Sequence, residues 1–463
     1  MSDEIKEEPK IKMDTIVNLC KQYGFIFQGS EIYDGLANTW DYGPLGIELK
    51  NNVKKIWWKK FVTENKNSYG VDAAILMNPR VWEASGHVGS FSDPLIDCKD
   101  CKSRFRADNL IKEFNDTVNT DVMSHEEMLN FIKDKNIKCP RCKSTNFTNI
   151  REFNLMFETN RGVTTESKTT IYLRPETAQG EFVNFLNVQR AMRTKLPFGI
   201  GQIGKAFRNE ITPGNFIFRT IEFEQMEHQM FCKSGTDEEI YSYHKQYAFD
   251  FLVNLGIDPK HLKFHNHDKL AHYAKAACDI YYKFPMGWNE LWGIHNRTNY
   301  DLSRHQECSK VLMEYFDIDT NERFIPYVIE SSVGCDRMIL AFLLEAYCVE
   351  ELADKSIREI MKLHPALAPY KVAVLPLNKK LHSEKANEIF SHLVKYFTVS
   401  YDDAGSIGKR YRRQDISGTP FCITVDEDTI KNETITIRDR DTMKQIVIKV
   451  NQVKSYIEEK IEV

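Results

Sequence analysis

The sequence predicts an α+β chain of two or three domains, and three stretches predict it. Residues 203–231, IGKAFRNEITPGNFIFRTIEFEQMEHQMF, read as two antiparallel strands joined at Thr212-Pro213-Gly214-Asn215, where Pro-Gly-Asn is a strong turn signal. After residue 365, KVAVLPL, TVSYDD, FCITVD and the hairpin TITIRDRDTMKQIVIKV alternate with helical stretches, the pattern of a small mixed α/β domain. Two C-x2-C pairs mark an insertion at about residues 98–150. A length of 463 residues exceeds what one hydrophobic core organises.

Apolar content of 42% and charged content of 28% are ordinary for a soluble globular protein. No apolar run reaches the roughly 18 residues of a membrane span, and MSDEIKEEPKIK lacks a hydrophobic signal core. A cytoplasmic protein without a membrane partner is expected. The net charge of -4 gives no global basic field, so any nucleic-acid partner must be held by local patches. Eleven scattered cysteines, an odd number, indicate reduced thiols rather than a disulfide framework.

In chain order, residues 1–12 alternate Lys and Glu without apolar periodicity and read as a disordered leader. Asp14 caps a short helix that Gly24 closes. A glycine-rich loop runs to Gly46, after which Ile47, Leu49, Val53, Ile56, Trp57 and Phe61 recur at helical spacing. Adjacent Trp57 and Trp58 cannot share one narrow stripe, so this helix has two apolar faces and one suits a partner subunit. VDAAILMNP reads as a strand ending at Pro79.

Cys98-Lys-Asp-Cys101 and Cys139-Pro-Arg-Cys142 carry four thiolates at the spacing of a tetrahedral structural Zn2+ site. Four sulfur ligands leave no open position, which excludes a catalytic zinc there; four unligated thiols are the competing reading. SHEEMLNFIKDKN between the pairs is a short helix.

Further on, a strand ends at Leu173, Pro175 breaks it, and residues 177–192 are helical, so Glu176 sits where strand gives way to helix. Alone it reads as a cap or dipole partner. Residues 237–255 form a helix, and PMGWNELWGIHNRTNYDLSRH holds strand-like stretches that carry Glu290. ERFIPYVIESSVGCDRMILAFLLEAYCVE runs as strand, Ser-Ser-Val-Gly turn and apolar helix. Arg337 stands in the first turns of that helix, where unsatisfied N–H groups already make the potential positive, so it should face an anion. MKLHPALAPYK is the linker to the last domain, whose final helix runs from Asn451.

Strand alternation places Arg208 with Glu210, and Arg219 with Phe223 and Glu227. A guanidinium fork matches a phosphate, and Phe223 offers a flat surface to a nucleobase. Taken alone, the hairpin is a half-exposed sheet with paired surface charges. Lys409, Arg410, Arg412 and Arg413, with Tyr411 interleaved, read as a solvated helix face or as a nucleic-acid surface.

Together these stretches resemble the class II aminoacyl-tRNA synthetases, in particular the dimeric glycyl-tRNA synthetases. FRNE with RTIEF looks like the second class signature and GCDR like the third; the helix and strand ending at Pro79 look like the first, which builds the dimer interface. DYGPLG, WEASGH, LRPETAQG, EQME, VIESSVG and IGKRYRRQD followed by GTPFCITVD are similar to the glycyl family, and the likeness covers roughly residues 13–455. The resemblance implies a catalytic domain at 13–364 with a helix-flanked antiparallel sheet, a zinc knuckle at 98–150, and an anticodon-binding domain at 365–463.

It further implies ATP, glycine and tRNA-Gly as substrates, a homodimer, and Mg2+ held with ATP by Glu290. By position, the ATP set is Arg208, Asn209, Glu210, Phe218, Arg219, Phe223, Glu290, Leu291, Gly334 and Arg337, with Arg208 and Arg337 catalytic. Arg208 would meet the α-phosphate, Glu210 the adenine amino edge, and Phe223 and Arg337 its two faces. Glu176, Glu227, Glu330, Ser332 and Arg106 would surround glycine, and Lys409, Arg410, Arg412 and Arg413 would meet tRNA. Ile221 stands where many relatives have arginine, removing one phosphate or tRNA contact. A prolyl or threonyl enzyme would share the ATP motifs but not this carboxylate set, and a non-catalytic relative would be expected to lose Arg208 and Arg337.

Overall fold

The computed structural model describes residues 11–115, 117–162, 168–211, 214–267 and 274–463. Most of the leader, and Thr212 and Pro213 of the expected turn, lie outside them.

The core is a seven-stranded sheet in the order Leu262–Asn266, Ala276–Phe284, Gly287–Thr298, Tyr327–Gly334, Glu222–Cys232, Phe198–Phe207 and Ser68–Gly70. Neighbours are antiparallel except for the last pair. Side-chain alternation gives this sheet two different faces. Met226, Trp292, Ile294 and Val333 point into a large core shared with the helices Pro44–Trp58, Asp237–Asn254 and Cys335–Ala346. From the same strands Gln225, Glu227, Gly293, His295, Glu330 and Ser332 point the other way, into an open cavity.

Two expected elements differ from the structure. Ser331 to Gly334 form no turn: the strand runs to Gly334 and the helix starts at once at Cys335. Both flanking strands pair with this stretch, and ladder bonds on two sides override the turn preference of small residues. The expected strand from Val71 is irregular, with one bridge from Leu76 to Leu173; the paired segment is Ser68–Gly70, which alone reaches the sheet edge. Smaller shifts occur at helix ends. The first helix is Met13–Tyr23, capped by Lys12 with Asp14 inside its first turn, and the last is Val453–Ile461. Pro44 opens its helix two residues before Gly46, as suits a residue with no N–H to satisfy.

The insertion is a separate small unit. Strands Arg104–Arg106, Ser92–Asp97 and Arg151–Asn154 form one sheet. Ile96, Leu110, Ile111, Met128 and Ile132 make its core, and the helix His125–Asp134 starts in a capping box of Ser124 and Glu127. No helix among the described residues is long and apolar enough to cross a membrane.

The C-terminal sheet runs Val399–Tyr401, Val372–Pro376, Phe421–Val425, Thr434–Asp439 and Gln445–Lys449; the first three strands are parallel and the last two join antiparallel. The hairpin Tyr347–Glu351 with Ile357–Met361 docks onto it through a fully buried carboxylate. Asp415 accepts from Arg358 Nε at 2.9 Å and from Arg438 at 2.8 and 3.2 Å. Removing that carboxylate takes from the buried Arg438 the carboxylate it pairs with and leaves buried Arg358 with Glu350 alone. Asp415→Ala should therefore cost about 3–5 kcal/mol of stability, measured by denaturation; a loss within the roughly 0.5 kcal/mol of a surface substitution would show that the cluster is unimportant.

Candidate active site

The cavity has a cationic end and an anionic end. At the cationic end, Arg208 lies just beyond the strand Phe198–Phe207, not on it, and its backbone N–H donates to Ile221 O at 3.0 Å. Its Nε donates to Pro175 O at 3.0 Å, and the guanidinium lies against the rings of Phe91 and Phe223, 5.4 and 5.3 Å from their centroids. Aromatic faces orient this cation while leaving its charge free for an anion. Arg219 pairs with Glu210 at 3.5 Å, and both also lie in the loop, off the strands. Arg337, on the helix Cys335–Ala346, rests on the Phe218 ring at 4.4 Å. It donates to Phe218 O and Glu290 O and meets the Glu290 carboxylate at 3.3 Å.

Asp336, the neighbour of Arg337, fixes that helix start. Fully enclosed, it accepts from Lys50 Nζ and the Glu224 N–H at 2.9 and 2.8 Å, and from the Tyr42 hydroxyl. Lys50 also pairs with Glu224 at 3.0 Å. The N-terminal helix thus holds the arginine-bearing helix in register with the hairpin strand.

At the anionic end three carboxylates converge. Glu227 stands directly opposite Ser332, and Ser332 opposite Gly293, in one row across three strands. Glu227 accepts from Ser332 Oγ at 2.5 Å, Thr177 Oγ1 at 2.7 Å and Gln225 Nε2 at 3.0 Å. In the next row, Glu330 accepts from Gln229 Nε2 and His295 Nδ1 at 3.0 Å and from Arg297 at 3.2 Å. Glu176 comes from the loop before the helix Ala178–Val183; it accepts from Gln179 at 2.9 Å and lies 3.3 Å from His87 Nε2. Arg174 pins that loop by donating to Lys205 O and Ala73 O.

Their protonation differs by surroundings. Burial raises Glu330, but Arg297 and His295 outweigh it and hold the carboxyl down at about 2. Burial also opposes ionisation of Glu176, and His87 outweighs it, keeping the group well below the usual range. No cation among the described residues forms an ion pair with Glu227, and burial, with Glu330 and Glu176 adding repulsion, pushes it up to about 7. Burial, with repulsion from Glu227 and Glu330, raises the pKa of Glu181 behind them well above the usual carboxylate range. The pocket is built to receive a small cation.

In the insertion, the Sγ atoms of Cys98, Cys101, Cys139 and Cys142 all lie within 4.8 Å of one another. Cys98 is 3.5 Å from Cys142, and Cys101 is 3.7 Å from Cys139.

Residues 157–347 match the family model described as tRNA synthetase class II core domain (G, H, P, S and T). Residues 371–460 match an anticodon binding domain, and residues 93–127 a glycyl-tRNA synthetase insertion domain. The glycine–tRNA ligase of Clostridium acetobutylicum is 59% identical over 456 residues, covering 97% of this chain and 98% of that one. The chain belongs to the glycine–tRNA ligase family. The corresponding ligase of Clostridium kluyveri is 60% identical over 457 residues, with 97% and 98% coverage, and that of Acetivibrio thermocellus 58% over 461, with 98% and 100%. A solved structure of Giardia lamblia prolyl-tRNA synthetase in complex with prolyl-adenylate shares the fold, with a TM-score of 0.62 at 15% identity over 96% of this chain and 76% of that one.

Of the residues expected from sequence, the cavity is lined by Glu176, Arg208, Glu210, Phe218, Arg219, Phe223, Glu227, Glu290, Glu330, Ser332, Gly334 and Arg337. Leu291 is instead in the core, because a bulge at this point makes it the one extra residue on its strand. That bulge flips the alternation, so Glu290 faces the cavity together with Gly293, His295 and Arg297. Asn209 does not line the cavity; its N–H donates to Leu155 O. Arg106 lies outside the lining as well, held by Asp93 and Asp108 at 2.9 and 2.7 Å. Arg410 is buried and donates to the carbonyls of Pro376, Asp403 and Gly405, which leaves Lys409, Arg412 and Arg413 as the outward cations of that helix. The basic run lies on an amphipathic helix, and its period turns one arginine inward.

Sequence reasoning missed His87, Thr177, Gln225, Gly293, His295 and Arg297. The alternation Gly293, His295, Arg297 within a strand was a readable signal for the last three.

Binding of an ammonium beside Glu227 lowers its pKa and releases a proton near neutral pH. Affinity for glycine should therefore rise as pH approaches about 7 and level off above it. Glu227→Gln should flatten this slope. Glycine KM in pyrophosphate exchange between pH 6 and 8 checks it, and a flat wild-type profile would contradict the assignment.

Proposed function

We infer that the chain is a glycine–tRNA ligase: it activates glycine with ATP to glycyl-adenylate and transfers glycine to the 3′-terminal adenosine of tRNA-Gly, releasing AMP and pyrophosphate. The observation that carries this reading is the convergence of Glu176, Glu227 and Glu330 at one end of a cavity whose other end is lined by Arg208, Arg219 and Arg337.

Glycine has no side chain to grip, so its ammonium charge is the available handle, and three carboxylates with Ser332 address it. Every competing amino acid is larger than glycine, and exclusion by size works well against larger rivals and poorly against smaller ones. The bare backbone of Gly293 and the small Ser332 leave room for the substrate only while the surrounding groups stay packed. A Cβ at Gly293 would already meet the His295 ring at 3.2 Å.

The attacking carboxylate of glycine is ionised from the start, so the first step needs no general base. It needs in-line placement and neutralisation of charge on phosphorus. Arg208 takes the α-phosphate, steadied by Phe91 and Phe223; Arg219 and Arg337 take the outer phosphates. Phe223 and Arg337 hold the two faces of adenine, and Glu210 its amino edge. Mg2+ brought with ATP would be held by Glu290, a half-exposed carboxylate in the lining, and would add neutralising charge to the phosphates. In the second step the ribose 3′-hydroxyl attacks the activated carbonyl.

The four cysteines fit a structural Zn2+. Tetrahedral Zn–S bonds of about 2.3 Å place sulfurs about 3.8 Å apart, close to the 3.5 and 3.7 Å observed. Residues 13–364 form the catalytic domain with the knuckle at 98–150, and residues 365–463 the anticodon-binding domain, with Lys409, Arg412 and Arg413 toward tRNA. The chain works in the cytoplasm as a homodimer, through the helix Pro44–Trp58 and the segment ending at Pro79.

Pyrophosphate exchange with each of the twenty amino acids, without tRNA, tests the reading. Exchange with glycine alone is expected; exchange with another amino acid would discard the pocket assignment. Arg208→Ala should lower the exchange rate by about 10²–10³-fold with unchanged melting behaviour, and near-normal exchange would remove Arg208 from the phosphate site.

A further inference from the structure

We propose that the chain carries a second transition-metal site, separate from the four cysteines, in which His267, Asp279 and His295 bind a borderline divalent ion such as Zn2+, Co2+ or Ni2+. The three residues come from adjacent places at the edge of the central sheet. His267 directly follows the edge strand Leu262–Asn266, and its N–H donates to Ala277 O at 3.1 Å. His295, on the other side, is the backbone partner of the same Ala277. Both imidazoles therefore flank one small residue, and Asp279, two residues along the middle strand, shares its face.

The side chains close on a common point. His267 Nε2 is 2.7 Å from Asp279 Oδ2, and His295 Nε2 is 3.6 Å from Asp279 Oδ1. One donor atom from each residue lies within 4.8 Å of the others. Metal–ligand bonds of about 2.0–2.2 Å need donors a little over 3 Å apart, so the 2.7 Å pair has to open and the 3.6 Å pair to close by a few tenths of an ångström. Two imidazoles and a carboxylate suit zinc, cobalt or nickel; Mg2+ and Ca2+ prefer all-oxygen sets.

Two further features are those of a built site. The far nitrogen of His295, Nδ1, lies 3.0 Å from Glu330 Oε1, the carboxylate–histidine arrangement that orients a metal-binding imidazole. Asp279 is buried, whereas the His267 side chain is 37% exposed, which leaves an entry path and an open position for water. On binding, both imidazoles meet the ion through Nε2, while His295 Nδ1–H keeps donating to Glu330. Nearby Arg297 is directed to Glu330 and Asp301. Because Glu330 belongs to the glycine pocket, occupancy of this site connects to substrate binding through one imidazole.

Untagged full-length protein, stripped of metal and titrated with Co2+, tests this. One equivalent should give the intense near-ultraviolet thiolate-to-cobalt absorption of the cysteine site. A second should add only weak visible ligand-field bands. His267→Ala, at the exposed ligand, should lose the second equivalent and keep the thiolate band, which also reports that the fold is intact; Asp279→Asn should do the same. A wild-type chain with no cobalt beyond the thiolate site, or a second equivalent that survives His267→Ala, would overturn the proposal and leave the cluster as a histidine–aspartate ion-pair network. Absence of the thiolate band would count against zinc at the cysteines alone.

Discussion

Three carboxylates in one enclosed pocket repel each other, and the surrounding structure is arranged to hold them there. Burying a charge is tolerable only when nearby donors replace lost water. Glu330 has Arg297, His295 and Gln229, and Glu176 has His87 and Gln179. Glu227 receives only neutral donors, Ser332, Thr177 and Gln225. The carboxylate left with neutral donors is Glu227, and burial, with repulsion from Glu330 and Glu176, raises its pKa. An arriving ammonium relieves the repulsion, so the same arrangement that strains the empty pocket gives it selectivity for a small cation.

The arginine end depends on a different constraint. Phosphate needs guanidinium groups that are positioned but not neutralised, and rings achieve this better than carboxylates. Arg208 lies against Phe91 and Phe223 in this way, whereas Arg337 rests on Phe218 and also meets the half-exposed Glu290 carboxylate. The buried Asp336 does the mechanical work for Arg337: it joins Tyr42 and Lys50 near the N-terminus, Glu224 on the hairpin and the helix Cys335–Ala346 at one point. Segments some 290 residues apart in sequence meet there. DYGPLG thus contributes to the site through Tyr42, without touching the cavity.

The two smaller units attach by distinct means. The insertion has its own core and four convergent thiols. The C-terminal sheet has its own core too, and its junction with the rest joins an apolar contact, Ile416 in the large core, to a polar cluster in which Asp415 gathers Arg358 and Arg438, and Arg440 donates to Leu363 O and Gly418 O. Such a cluster is specific in geometry because each donor has one acceptor, whereas an apolar contact alone could slide.

The sequence by itself determined what local chemistry dictates: the four cysteines, the hairpin with its arginines and carboxylates, the apolar helices, and the alternating C-terminal domain. Side-chain period and motif order carry that information, and most of the expected site residues do line one cavity. Tertiary structure decided the rest. Pairing on both sides turned Ser331 to Gly334 from an expected turn into strand. A single bulge sent Leu291 into the core and left Glu290 at the cavity, and helix packing turned Arg410 inward. The partners of the three glutamates, His87, Thr177, His295 and Arg297, come from separate elements. Their roles follow from which strands lie side by side, and strand order is a non-local property that no window of sequence contains.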